Sequence, residues 1–186
     1  RMFVAMVPPA EAVEDLDAFL DVRRAAAPFR WTQPDQLHVT LAFLAAVPDR
    51  SLDDLVERLA AAARRRTPVT ARIAGGGAFP HPDAAKVVWA GLRTTGTDHA
   101  ELVRMSDGAR RAANASGIAP DGQRFRPHLT VARTGRPRQV TRWVQLLDGY
   151  EGPSWRVGEW SLVASHLGEG PARRPRYEEV ARVQVG

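Results

Sequence analysis

Cysteine is absent from this chain, which excludes disulfides, thiolate metal sites and a cysteine nucleophile. Lysine is almost absent too: Lys86 is the only one among 26 basic residues, and the rest are arginine. Nowhere do roughly 20 apolar residues run together, the length that spans a bilayer. The opening Met2-Phe3-Val4-Ala5-Met6-Val7 stops at Pro8-Pro9, too short for a signal-peptide core. These absences lead us to expect a cytoplasmic protein that does not enter a membrane. Nothing in the chain calls for an obligate partner, so a monomer is the default expectation.

What is present suits one generous domain or two small lobes. The chain has 186 residues, 44% of them apolar, and its 14 prolines and 15 glycines are spread along it as turn punctuation. The formal charge is +5. Arginine's planar fork matches phosphate oxygens, so the bias toward arginine suggests an anionic substrate. A GC-rich genome produces the same bias, and charge alone identifies no ligand.

Apolar spacing predicts alternating strands and helices. Strands are expected over 2–7, 37–43, 69–74, 87–89, 127–133, 155–157, 160–165 and 177–185. A helix over Ala10 to Arg24 would bury Val13, Leu16 and Leu20. A second begins at Ser51-Leu52-Asp53-Asp54, which reads as a capping box. A third spans Asp98 to Ala115, burying Leu102, Val103, Met105 and Ala109, and a short one carries Val140, Trp143, Val144 and Leu147. Gly75-Gly76-Gly77 is followed by Phe79-Pro80 rather than a helix. That favours a bulge or loop over a phosphate-cradling turn. The irregular alternation indicates an α+β fold.

The informative segments are Leu37-His38-Val39-Thr40-Leu41 and Pro127-His128-Leu129-Thr130-Val131. Side chains alternate faces along a strand, so each histidine shares a face with its threonine while the flanking apolar residues point to a core. One such strand usually carries a structural histidine. Two copies, 90 residues apart, suggest two halves of similar build presenting one imidazole and one hydroxyl each.

Imidazole exchanges protons near neutrality. Two facing each other across a cleft can act on opposite sides of one phosphorus, one taking a proton from water and one giving a proton to the leaving oxygen. Thr40 and Thr130 suit the non-bridging phosphate oxygens, where charge collects in the transition state. No carboxylate stands beside either motif on its polar face, and zinc usually takes three or four protein ligands. Neither a metal nor a cofactor is therefore expected. His81, His99 and His166 read as surface or loop residues, and Tyr177 and the five tryptophans as core.

The two motifs, together with Arg1-Met2-Phe3-Val4-Ala5, Gly77-Ala78-Phe79-Pro80, Val87-Val88-Trp89-Ala90-Gly91, Phe125-Arg126-Pro127, Ala132-Arg133, Ser165 and Tyr177, resemble the 2H phosphoesterase superfamily. Within it they are most similar to the bacterial and archaeal RNA 2′,3′-cyclic phosphodiesterases, historically called 2′-5′ RNA ligases. The resemblance covers essentially the whole chain. It implies a single bilobal domain over 1–186, with two antiparallel sheets flanking a central cleft and helices outside. It also implies metal-independent opening of a terminal 2′,3′-cyclic phosphate on RNA, or on a nucleoside 2′,3′-cyclic phosphate, to a 2′-phosphate.

Carried over, His38 is the proton donor and His128 the acceptor. The two motifs are chemically alike, so the residues themselves do not order these roles. Reversal of the reaction would join a 2′ end to a 5′ hydroxyl. Arg133 matches an arginine of the family, yet strict alternation puts it on the face opposite His128 unless the strand ends or bulges first. Arg133 and Arg126 are kept as candidate substrate contacts. Ala45-Ala46 stands where the family often has glycine, and Ala42 where a longer polar residue is common. Two other readings remain open at this point: a phosphodiesterase for a small cyclic nucleotide or an ADP-ribose cyclic phosphate, and an RNA-end-binding module without turnover.

Overall fold

A computed structural model describes residues 1–186. The strands are β1 (Met2–Met6), β2 (Arg30–Trp31), β3 (Val39–Leu44), β4 (Val69–Phe79), β5 (Ala85–Thr94), β6 (His128–Arg138), β7 (Glu151–Val157), β8 (Glu159–His166) and β9 (Arg176–Gln184). The helices are α1 (Ala10–Asp21), α2 (Leu52–Ala63), α3 (Asp98–Ala115) and α4 (Thr141–Asp148). No helix is long and apolar enough to cross a membrane.

Every strand pairing is antiparallel, in the order β7-β4-β5-β6-β3-β1-β8-β9, with β2 added to β6. The α+β expectation holds. The two expected sheets form one surface, however, because β3 and β6 are joined by a single registered pair, Val39 opposite Leu129. That thin seam runs between the two motif strands.

One face of the sheet carries the main core. Val4, Met6, Val39, Leu41, Leu129 and Val131 meet the apolar sides of all four helices there, including Leu16, Leu55, Leu59, Met105 and Leu147. Each fully buried leucine contributes about 1.5–3 kcal/mol of transfer free energy. A smaller cluster of Phe3, Ala5 and Val163, with Phe43 and Tyr177 against it, occupies the other face. Strand β1 serves both, since Phe3 and Ala5 alternate with Val4 and Met6.

Local differences from the sequence-based expectations have physical causes. α1 stops at Asp21 and the chain leaves through a 3₁₀ turn, Arg24–Ala26; Val22, 78% exposed, has no core to reach. Ser51 does not cap α2. It sits with helical angles at the end of a 3₁₀ turn, Asp49–Ser51, that runs straight into the helix, and its side chain bonds no helix amide. Val103 faces solvent, whereas Leu102, Met105 and Ala109 are buried.

The glycine triplet lies inside β4, where the register shifts between Ile73 and Gly76 and Gly75 takes φ +77°. This is the expected bulge. The indole of Trp89 lies over Gly77 so closely that a β-carbon there would overlap it. Of the five tryptophans only Trp160 is fully buried.

Candidate active site

Both histidines stand where a strand begins: His38 directly precedes β3, and His128 opens β6. Each is half-buried. Nδ1 of His38 lies 2.7 Å from the carbonyl oxygen of Gln36, and Nδ1 of His128 lies 2.6 Å from that of Arg126. A carbonyl only accepts, so both Nδ1 atoms carry hydrogen and donate it. In the neutral rings that leaves Nε2 as the free proton acceptor, aimed away from the backbone.

The seam sets the mutual placement. Continuing the register of Val39 opposite Leu129 puts Thr130 across from His38 and His128 across from Thr40. The two imidazoles are thus diagonal neighbours, about 7–8 Å apart at the backbone in a regular antiparallel pair. Val39 and Leu129 turn into the core, so all four polar groups share the opposite face. His38, Thr40, His128 and Thr130 line one hollow of about 510 Å³, with Phe3, Phe43, Gln36, Arg133, Ser165 and Tyr177 among its other walls. A second hollow of about 660 Å³ adjoins it, sharing Thr40, His128, Thr130 and Arg133 and adding Arg110, Arg124, Arg126 and Phe79.

Both motif strands bulge at the same place. In β3, Val4 faces Ala42 and Ala5 faces Thr40, which leaves Leu41 as the extra residue. In β6, Val88 faces Ala132 and Trp89 faces Thr130, which leaves Val131. Two consecutive residues are therefore buried in each strand, Leu41-Ala42 and Val131-Ala132. The next residue returns to the cleft. That residue is Phe43 in the first strand and Arg133 in the second, both on the cleft wall. Simple alternation puts Arg133 on the wrong face; the bulge is what corrects it.

Side-chain hydrogen bonds to neighbouring backbone support these strands. Ser106 on α3 donates to the carbonyl of Leu41 at 2.7 Å. Thr134 donates to the carbonyl of Ala85 at 2.8 Å, tying β6 to the start of β5.

The aromatic surroundings differ. His38 stacks on Phe3, with ring centroids 4.4 Å apart, and meets Tyr177 edge-on. Tyr177 therefore belongs to the cleft wall and not to the core, contrary to the sequence-based expectation. Trp89 is a second departure: its ring packs against His128, as does Phe79. Arg126 lies over the face of Phe79, with its guanidinium carbon 5.6 Å from the ring centre. Phe3 and Phe43 also line the cleft, though neither is among the site residues expected from sequence. Phe3 is detectable as the polar-face partner of Ala5 in an alternating strand, but Phe43 needs the bulge.

Burial pushes the His38 imidazole down to about 4, with the positive charges of His128 and Arg133 adding to it and the Gln36 carbonyl opposing. His128 is lowered by the same main cause, burial; the Arg126 carbonyl opposes it, and the charges of Arg126 and Arg133 add to it. Arg133 also offsets part of the rise that burial imposes on the Tyr177 hydroxyl. Its guanidinium thus acts on all three titrating rings of the cleft. Of the remaining histidines, His81 and His99 are exposed, and His166 sits on β8 with Nε2 3.0 Å from Glu178. No three histidine or acidic side chains gather as a metal-binding group would require.

Two imidazole–hydroxyl pairs on the polar face of one antiparallel seam, under a shared arginine, match the pattern of a two-histidine phosphoesterase. A family model of the 2′-5′ RNA ligase superfamily matches residues 8–169, and the chain belongs to that superfamily. An RNA 2′,3′-cyclic phosphodiesterase of Aeropyrum pernix is 33% identical over 161 residues, covering 84% of this chain and 89% of its own. One of Thermus thermophilus is 31% identical over 90% of this chain and 82% of its own. Among solved structures, Escherichia coli LigT complexed with 3′-AMP superposes with a TM-score of 0.76 at 27% identity, over 100% of this chain and 97% of that one.

Proposed function

We propose that this phosphoesterase hydrolyses the 2′,3′-cyclic phosphate at an RNA 3′ end to a 2′-phosphate. The names of its relatives support the substrate class. The observation that carries the chemistry is the pair of matched Nδ1-to-carbonyl hydrogen bonds, which leave two Nε2 atoms free beside one cleft.

In this reading water attacks phosphorus and gives a proton to Nε2 of His128. The P–O3′ bond breaks, and His38 protonates the departing O3′. One water is consumed, and a 2′-phosphomonoester and a 3′-hydroxyl result. Thr40 and Thr130 donate to the non-bridging oxygens, with Arg133 as their charged neighbour.

His38 must hold a proton before it can donate one, yet burial above all, with the positive charge of Arg133 adding to it, strips that proton from the free protein near neutrality. The anionic substrate supplies the opposing charge. A strongly lowered imidazole is also a strong acid once protonated, which suits donation to an alkoxide.

The test is an RNA oligomer ending in 2′,3′-cyclic phosphate, incubated with the protein in excess EDTA. The expected product is the 2′-phosphate. A 3′-phosphate product, or turnover only after a divalent metal is restored, would overturn the reading. The kcat/KM profile should be bell-shaped, and because it reports the free protein, its optimum should sit on the acid side of that for two ordinary imidazoles.

A further inference from the structure

Arg133 has a second arginine beside it. Strand β2 pairs with β6 so that Arg30 stands opposite Arg133 and Trp31 opposite Ala132. Directly opposed residues of antiparallel strands project from the same face. The alternation along β2 agrees. Trp31 turns toward the core, against Phe29 and Trp143, and Thr32 lines the cleft. Arg30, two residues before Thr32, therefore shares the cleft face.

Neither arginine has a carboxylate partner, although others do, such as Arg72 with Glu151 and Arg110 with Asp121. Both are exposed. Like charges set directly opposite each other on a sheet cost stability. An anion held between them would remove that cost, and two guanidinium forks match the oxygens of a phosphate.

Position narrows the choice of anion. Arg133 lies between Val87 of β5 on one side and Arg30 on the other. Its charge already reaches both motif imidazoles. Arg30 is one strand spacing from it, about 4.7–4.9 Å, on the edge of β6 that also pairs with β3. The pair is thus placed for a phosphate next to the reacting one.

We propose that Arg30 and Arg133 form a second phosphate subsite, which takes the phosphodiester joining the terminal nucleotide to its 5′ neighbour. The subsite rests on the phosphodiesterase reading above and sharpens it. It makes the protein prefer RNA ends over nucleoside 2′,3′-cyclic phosphates, which lack that second anion.

The experiment compares kcat/KM for a dinucleotide ending in 2′,3′-cyclic phosphate with that for the corresponding nucleoside 2′,3′-cyclic phosphate. The native protein should favour the dinucleotide about tenfold or more, as a charge-assisted contact implies. Arg30→Gln should cut that preference about tenfold, mainly through KM, and Arg30→Lys should restore part of it. With no ligand, the Tm of Arg30→Gln should equal or exceed that of the native protein, because a like-charge contact is gone.

Three results would overturn the subsite alone: equal turnover of both substrates by the native protein, a preference that survives Arg30→Gln, or an Arg30→Gln variant that loses both activities together with a lowered Tm. Failure of the native protein on both substrates would instead overturn the phosphodiesterase reading, and the subsite with it.

Discussion

His38 and His128 are held by one device, a hydrogen bond from Nδ1 to the carbonyl two residues back, and each is followed by the same bulge. Around them the resemblance stops. His38 lies flat on Phe3 beside Tyr177, and its bulge delivers Phe43 to the cleft. His128 stands among Phe79, Trp89 and Arg126, and its bulge delivers Arg133. Matched backbone geometry turns both rings toward one cleft, and burial, the main cause for each, lowers both imidazoles, His38 to about 4. In the proposed reaction the acid and base roles fall to two rings that share one backbone device but stand in unlike surroundings.

Removing either ring tests whether the halves act as a unit. His38→Ala and His128→Ala should each lower kcat/KM on cyclic-phosphate-ended RNA by about 10²–10⁴-fold. The double variant should fall little below the worse single one, because groups that work together are not additive. Losses that multiply would separate the two residues into independent roles.

The stability of the folded chain should expose the burial of His38. Its imidazole is held at about 4 when folded, against 6.5 when free. Between those values the unfolded chain binds a proton that the folded one does not. Stability is then complete above about pH 6.5 and falls as pH drops toward 4, by on the order of 3 kcal/mol from this ring. Urea unfolding of native protein and His38→Ala at several pH values should show a smaller loss in the variant. Equal slopes would mean that the ring is not desolvated.

Arg133 and Phe43 occupy equivalent places, so exchanging their character probes the asymmetry itself. Arg133→Ala should lower kcat/KM about 10–100-fold, the cost of a charged hydrogen bond, and raise the NMR titration midpoints of both imidazoles. Phe43→Arg should drive the His38 midpoint lower still. The smallest effect belongs to the threonines. Thr40→Val and Thr130→Val, which remove a hydroxyl and keep the shape, should each cost about tenfold in kcat/KM, and unequal losses would say which motif bears more of the phosphoryl charge.

Much of this molecule is readable along the chain. The His-x-Thr pairs, their alternation and the span of α3 from Asp98 to Ala115 follow from apolar periodicity, which local sequence records directly. Ser51 shows where such reading fails. A serine followed three residues on by an acid looks like a cap, but the preceding 3₁₀ turn had already satisfied the helix start. Tyr177 shows another failure. An aromatic in an apolar strand looks like core, and only its pairing opposite Ser165 shows that it lines the cleft beside His38.

Residue types and their spacing determined the chemistry: two imidazoles, two hydroxyls, and strands that keep each pair on one face. The tertiary structure alone decided what those groups confront. A bulge depends on how many residues the partner strand offers, so no single strand can announce that Arg133 will face the cleft. The Val39–Leu129 seam likewise joins segments far apart in the chain, and only their packing brings Arg133 and both histidines to one cleft, with Arg30 opposite Arg133 on the neighbouring strand.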